Sequence, residues 1–149
     1  MVLILAIGGI AAWWISRPRL SDREQIIQVI EAVRNGVERK NPRTVVSHIS
    51  EDYSDPSGIN YKEVRLLALR LLRATEKIKV NILNYEEPQI EGDTARMQLT
   101  VQVNVANGEQ EITNSGGKIS LTLRKEKKEW KVLRAAGWQQ QVPGGYGLE

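Results

Sequence analysis

The chain has 149 residues, no cysteine, and a net charge of +3 from 21 Lys+Arg and 18 Asp+Glu. The lack of cysteine excludes disulfide scaffolds and thiolate metal sites. The mild positive charge is far from the dense basic stripe of a dedicated nucleic-acid-binding protein, so no nucleic-acid partner is predicted. An apolar N-terminal run leaves about 130 residues, the size of one domain with a single core.

The first 16 residues form an apolar run without charges, which ends at Arg17. As a helix this run would span about 24 Å, slightly less than the hydrocarbon core of a bilayer. Trp13 and Trp14, followed by Arg17 and Arg19, are typical of an aromatic belt with basic anchors at the membrane interface. A cleaved signal peptide would need a basic start and small residues before the cleavage site. The sequence therefore predicts a retained single-pass membrane anchor at 1–16 and a linker at 17–21.

Two helices are predicted directly after the linker. Ser21 and Glu24 form a capping box, which places the start of the first helix at residue 22, and its apolar periodicity continues to about residue 40. Asn41-Pro42 supplies an N-cap followed by proline at the first helical position. A short second helix is therefore expected to continue through Ile49.

A third helix is predicted after a loop that is dense in turn-forming residues at 51–58. Asn60 and Glu63 repeat the capping pattern, so the helix should run from Tyr61 to about Thr75.

From residue 78 onward the apolar residues alternate, which predicts strands with one buried face. The alternating segments are 78–82, 95–105, 119–123 and 130–138, and turn sequences at 91–93, 107–108 and 126–129 separate them as hairpins would. The sheet is therefore predicted to be antiparallel. Gly116 and Gly117 are expected to interrupt the third strand with a bulge or bend. In the last strand every second residue from 130 to 138 should lie on the same face if no bulge intervenes.

Three helices followed by an antiparallel meander, with Asn41-Pro42 leading into Glu51-Asp52-Tyr53 and a final Trp130-Lys131-Val132 strand, resemble the nuclear-transport-factor-2-like superfamily. The resemblance implies an α+β, cystatin-like cone over residues 22–141, followed by a flexible tail at 142–149. The superfamily contains enzymes as well as members that only bind or assemble. Its bacterial relatives with one anchor place the domain outside the cytoplasm, which implies the inner membrane, whereas the arginines after the apolar run favour the cytoplasmic side.

The most unusual predicted surface lies on the third helix. At about 100° per residue its basic residues fall within one arc, together with two leucines, while Val64, Leu67, Ala68, Leu71 and Leu72 on the opposite arc are expected to pack on the cone. This arc could contact anionic headgroups or an acidic partner, or be a solvated face. The candidate contact residues are Lys62, Arg65, Leu66, Leu69, Arg70, Arg73 and Lys77.

Two further candidate surfaces follow from the strands. Uncharged polar residues on the outer face suit contact with another protein, and the resemblance implies dimers through this face. The candidates there are Gln98, Thr100, Gln102, Asn104, Ser120 and Thr122. Walls of an apolar pocket could be Tyr53, Met97, Trp130, Arg134 and Trp138.

No catalytic constellation, cofactor or metal site is predicted. The family's enzymes, by resemblance, use a carboxylate or histidine inside the cone, and the apolar parity of the strands offers only Arg134 as an ionisable group. His48, the single histidine, could act as a general base oriented by Asp52, but a structural role is favoured without a matched nucleophile. Glu51, Asp52 and Asp55 lack calcium-loop spacing.

The expected function is therefore that of a non-catalytic accessory or assembly subunit at a membrane, associating with other subunits or a second copy. The alternative is the binding or turnover of a small hydrophobic molecule in the cone.

Overall fold

The structure is a computed structural model that describes residues 19–137, apart from the side chains of 110–114. Three helices are followed by five strands. Their bounds are α1 Asp22–Glu38, α2 Pro42–Ser47, α3 Tyr61–Ala74, β1 Lys77–Tyr85, β2 Gln89–Glu91, β3 Thr94–Asn107, β4 Gln110–Glu126 and β5 Glu129–Ala136. The predicted α+β order of three helices and an antiparallel sheet is confirmed.

The predicted anchor residues Trp13, Trp14 and Arg17 lie outside the described residues, and so does the predicted C-terminal tail. Arg19 is described and exposed. Between residues 19 and 137 the structure contains no helix with the length and apolarity needed to span a bilayer.

Helix α1 begins where its capping residues predict. The Ser21 hydroxyl accepts the Glu24 backbone N–H at 3.3 Å, and the Ser21 N–H donates to the Glu24 carboxylate at 2.8 Å. The helix ends where Lys40 adopts a left-handed conformation with φ of 55°. There the Asn41 N–H donates to the Gly36 carbonyl, which closes the last turn.

The prediction that α2 continues through Ile49 is wrong, because the helix ends at Ser47. The chain beyond it pairs with β5 instead: the Val132 N–H donates to the His48 carbonyl, and the Ser50 N–H donates to the Val132 carbonyl. Ile49 thereby forms a parallel bridge to Val132. These backbone bonds to a distant strand compete with another helical turn, and they cover the free edge of β5.

Strand β3 is central to the sheet, whose order is β1-β3-β4-β5, with β2 also paired to β3. All of these strand pairs are antiparallel. Glu91 pairs with Thr94 and Glu126 with Glu129, so hairpins occur where the turn sequences predicted them. The short strand β2 was not predicted, because three residues are too few to show alternation.

Three register shifts fall at positions other than the predicted one. Pairing is continuous through Gly116 and Gly117, so the expected interruption there is wrong; the shift between β3 and β4 lies between Val105 and Ala106. In β5 the extra residue is Leu133, and in β1 it is Leu83. Beyond each extra residue the side chains change face.

The core lies between α1 and the inner face of the sheet, which is the face that α1 covers. Ile26 of α1, Met97 of β3, Leu123 of β4 and Trp130 of β5 are all buried there. The Glu38 carboxylate at the end of α1 accepts the Val80 backbone N–H at 2.9 Å, which ties the helix to the edge strand β1.

We expect Leu123→Ala to lower the free energy of unfolding by about 2–5 kcal/mol, because Leu123 has an exposed fraction of 0% and truncation leaves a cavity. Leu83→Ala is the matched control: its side chain is 62% exposed, and we expect a change of less than about 0.5 kcal/mol. Urea unfolding of both variants would measure this. Equal losses would contradict the assignment of the core.

Candidate functional site

Helix α3 presents basic side chains that nothing in the described residues neutralises. Its N-terminus is fixed by Asn60, whose side chain accepts the Glu63 N–H, while the Asn60 N–H donates to the Glu63 carboxylate at 2.8 Å. Leu72 is its buried residue. We call the following set the α3 surface: Lys62, Arg65, Leu66, Leu69, Arg70 and Arg73. All four cations of this set are exposed, and the ion pairs among residues 19–137 include none of them.

Leu66 lies in the middle of the α3 surface and is 51% exposed, whereas Leu69 is half-buried. Leu71, predicted to pack on the sheet, is instead 57% exposed. The helix on which α3 packs, α2, has six residues, about 9 Å, and cannot cover a helix of about 21 Å. Lys77 does not belong to the helical arc, because Thr75 is already extended and Lys77 begins β1.

The predicted sheet-face residues do share the outer face of the sheet, the face away from α1. Gln98 pairs with Ser120, and Thr100 pairs with Lys118. A groove of about 270 Å³ lies between the loop after β1 and this face, and it is lined in part by Glu86, Arg96, Gln98, Ser120 and Thr122. Gln102 and Asn104 continue the same row toward the end of β3. The face is less neutral than predicted, since it also carries Arg96, Lys118 and Arg134.

The predicted pocket residues do not meet around one open space. Tyr53, Met97 and Trp130 are buried members of the core, and burial raises the pKa of Tyr53 to about 12. The placement of Arg134 inside the cone is wrong: the extra residue Leu133 changes the parity, so Arg134 pairs with Thr122 on the outer face and is exposed. Trp138 lies outside the described residues.

Asp52, the residue considered as an orienter of His48, has another partner: its carboxylate accepts a hydrogen bond from Arg124 at 2.6 Å. Burial lowers the pKa of His48, with Lys131 acting in the same direction and Glu129 against it. His48 is therefore held neutral at the start of the segment that pairs with β5.

We expect the His48 ring to titrate below its ordinary pKa of 6.5, because burial disfavours the imidazolium. The folded state then binds fewer protons than the unfolded state, so this group's contribution to stability is present above pH 6.5 and is lost as the pH falls below it. As the chain has one histidine, the ring gives a single NMR titration curve. A midpoint above 6.5 would contradict this environment.

A second charged cluster joins α1 to the β4–β5 hairpin, and sequence reasoning missed it. One carboxylate oxygen of Asp22 accepts hydrogen bonds from Lys125 Nζ at 2.6 Å and from Trp130 Nε1 at 3.0 Å. These bonds, the one from Lys125 first, lower the pKa of Asp22 below its ordinary 3.8. Because Asp22 and Lys125 are 103 residues apart, no local pattern could have indicated the pair.

We expect Asp22→Asn to lower the melting temperature at pH 7, since the variant loses the charge that Lys125 and Trp130 bind. The difference from wild type should shrink as the pH falls below 3.8, where the wild-type carboxylate also becomes protonated and its contribution is lost. Thermal unfolding followed by circular dichroism between pH 7 and pH 3 measures both effects. A difference in melting temperature that does not depend on pH would show that the ion pair does not contribute to stability.

The edge of the sheet formed by β1 and β2 is a further surface, and it was not predicted from the sequence. Leu83 is 62% exposed, Tyr85 42% and Ile90 37%. We call the β1–β2 edge the set of Leu83, Tyr85, Glu86, Ile90 and Glu91. Beside it, Glu87 is neutralised by Arg23, which donates two hydrogen bonds of 2.6 Å. Glu86 and Glu91 form no ion pair with the described residues.

No group of three or more His, Cys, Asp or Glu side chains within residues 19–137 is arranged to hold a metal ion. Ser50, Asp52, Arg124 and Glu126 form a network that is held together by internal hydrogen bonds.

No protein-family model matches the chain, and no curated protein matches its sequence. Solved structures share its fold. A candidate aromatic ring hydroxylase from Novosphingobium aromaticivorans has a TM-score of 0.64 at 18% identity, covering 80% of this chain and 89% of its own. A candidate dehydratase of the NTF2-like family from Streptomyces avermitilis has a TM-score of 0.66 at 19% identity, with 76% and 92% covered. A cystatin-like protein from Nostoc punctiforme has a TM-score of 0.60 at 13% identity, with 78% and 91% covered. The nuclear-transport-factor-2-like, cystatin-like fold is thus established for the described domain.

Proposed function

We propose that this chain is a non-catalytic accessory or assembly subunit, held at a bacterial inner membrane by residues 1–16, and that its α3 surface binds an acidic protein partner. The observation that carries the proposal is a helix with four exposed cations around an exposed leucine, Leu66; none of the four forms an ion pair with another described residue. The comparisons support the fold alone, and the proposed function rests on the α3 surface.

The composition of the α3 surface suits a protein partner. Three of its four cations are arginines, which bind carboxylates through two parallel hydrogen bonds and are enriched among residues that dominate binding energy. Leu66 and Leu69 supply apolar contact between them. A lipid surface would attract the same charges, at about 1 kcal/mol for each cation near anionic headgroups. The arginine content favours the protein, and headgroup binding is a separate outcome of the test.

The inner face of the sheet supports a binding role through the surface instead of a catalytic one. Met97, Leu123 and Trp130 fill the space over which α1 packs. The Asp22 carboxylate is bound by Lys125 and Trp130, and the buried Asp55 carboxylate accepts backbone N–H groups of its own loop. A general base must be free to accept a substrate proton. A small-ligand role would require these core side chains to move apart.

We expect the triple variant Arg65→Glu, Arg70→Glu, Arg73→Glu to lose its partners, because reversing three charges places like charges across the interface and should weaken binding by about 100-fold or more. The full-length protein would be isolated from its native membrane in mild detergent, and the co-purifying proteins identified by mass spectrometry. An unchanged melting temperature would show that the exposed substitutions leave the fold intact.

The matched control makes the same change of charge on the outer face of the sheet: Arg96→Glu, Lys118→Glu, Arg134→Glu. Loss of partners by this control alone would transfer the interface to the predicted sheet face. Retention of every partner by the α3 variant would remove the α3 surface from the proposal. Binding of the wild type to anionic vesicles, without co-purifying proteins, would replace the protein partner with a lipid surface.

A further inference from the structure

Two surfaces of the described domain combine exposed apolar side chains with opposite charges. The α3 surface has exposed Leu66 among cations. Along the β1–β2 edge the register places Tyr85 and Ile90 toward the inner face and Glu86 and Glu91 toward the outer face, so a helix that lies along this edge meets apolar side chains on one side and carboxylates on the other. Apolar contacts with complementary charges are found in protein interfaces.

The two surfaces also match in length. Asn84 and Glu91 pair with Thr100 and Thr94, which are six residues apart on β3, so this edge extends over about 20 Å. Helix α3, with 14 residues, is about 21 Å long. A helix of this length can lie along the whole edge.

Within one molecule the C-terminal end of α3 is held away from the β1–β2 edge by the length of β3. The end of α3 is fixed near the β3–β4 turn, where the Glu76 N–H donates to the Asn107 side chain at 2.8 Å and the Gly108 N–H donates to the Glu76 carboxylate at 2.6 Å. Tyr85 and Ile90 pair with Leu99 and Ala95, at the other part of the strand. Ala106, at the end of β3 near the β3–β4 turn, pairs with the first residue of β1. It is 7 residues from Leu99 and 11 residues from Ala95, which corresponds to about 23–36 Å along the strand.

We infer that the α3 surface of one copy of this chain docks on the β1–β2 edge of a second copy. The inference rests on the proposed function, because it uses the α3 surface as the docking site and names the acidic partner surface. Arg23 pairs with Glu87 and also reaches Tyr85 on the inner side of this edge. The carboxylates left to meet the arginines of α3 are therefore Glu86 and Glu91 on the outer side. Arg96, which lines the groove behind Glu86, lies on the outer face.

Such a contact joins two different surfaces, so it is heterologous. A pair of docked copies still exposes one free α3 surface at one end and one free β1–β2 edge at the other. Association then continues into rings or open chains of subunits instead of stopping at a symmetric dimer.

The test uses two variants of the full-length protein that each lack one surface: Arg70→Glu with Arg73→Glu, and Glu86→Lys with Glu91→Lys. In mild detergent at low salt we expect sedimentation velocity to show concentration-dependent oligomers for the wild type and monomers for each variant alone. Mixing the two variants in equal amounts should restore oligomers in which they alternate, because the intact α3 surface of one meets the intact edge of the other and the two substituted surfaces are complementary as well. A chain that carries all four substitutions should associate as the wild type does, because its α3 surface is then acidic and its β1–β2 edge is basic.

Several results would overturn the inference: a monomeric wild type, variants that associate as the wild type does, or a mixture that stays monomeric. The lysine variant Arg70→Lys with Arg73→Lys keeps the charge and should retain association. If the wild type is monomeric but its α3 variant loses co-purifying membrane proteins, the inference fails while the proposed function stands. If the α3 variant keeps every partner, the proposed function fails with it.

Discussion

Strand β3 is the element on which the rest of the structure depends, because it pairs with β1, β2 and β4 and carries Ala95, Met97, Leu99 and Val101 into the core. Its 14 residues set the length of the sheet and therefore the distance between the surfaces at its two ends. Helix α1 is fixed across the inner face by charged contacts at its start and by Glu38 near its end. The domain thus has an apolar centre, with charged clusters at its periphery.

The local signals in the sequence were sufficient for the element order. Capping residues such as Ser21, Asn41 and Asn60 act within one turn, so they predicted where helices begin without knowledge of the rest of the chain. The alternation of 95–105 predicted a strand for the same reason. What failed depended on distant partners: α2 stops early because His48 and Ser50 bond to β5, and Arg134 faces outward because β5 accommodates Leu133 as an extra residue.

The same distinction between local signals and long-range contacts applies to the candidate site. The cations of α3 were visible in the sequence because helical spacing alone places them on one arc. The exposure of Leu71 could not be predicted from the sequence, because it depends on how much of α3 is covered by the short helix α2. The β1–β2 edge could not be found from the sequence, because its members come from two strands and a loop, and because β2 is too short to have a periodicity of its own.

The two free margins of the sheet are protected in different ways, and this determines what kind of association the fold permits. Along β5 the segment around Ile49 occupies the backbone groups, and along β1 the carboxylate of Glu38 occupies the Val80 N–H while the extra residue Leu83 breaks the regular spacing of donors and acceptors. A foreign strand therefore finds no continuous ladder to extend, and amyloid-like growth is disfavoured. Contacts along these margins are thereby limited to side chains, and those between exposed charges weaken as the ionic strength rises.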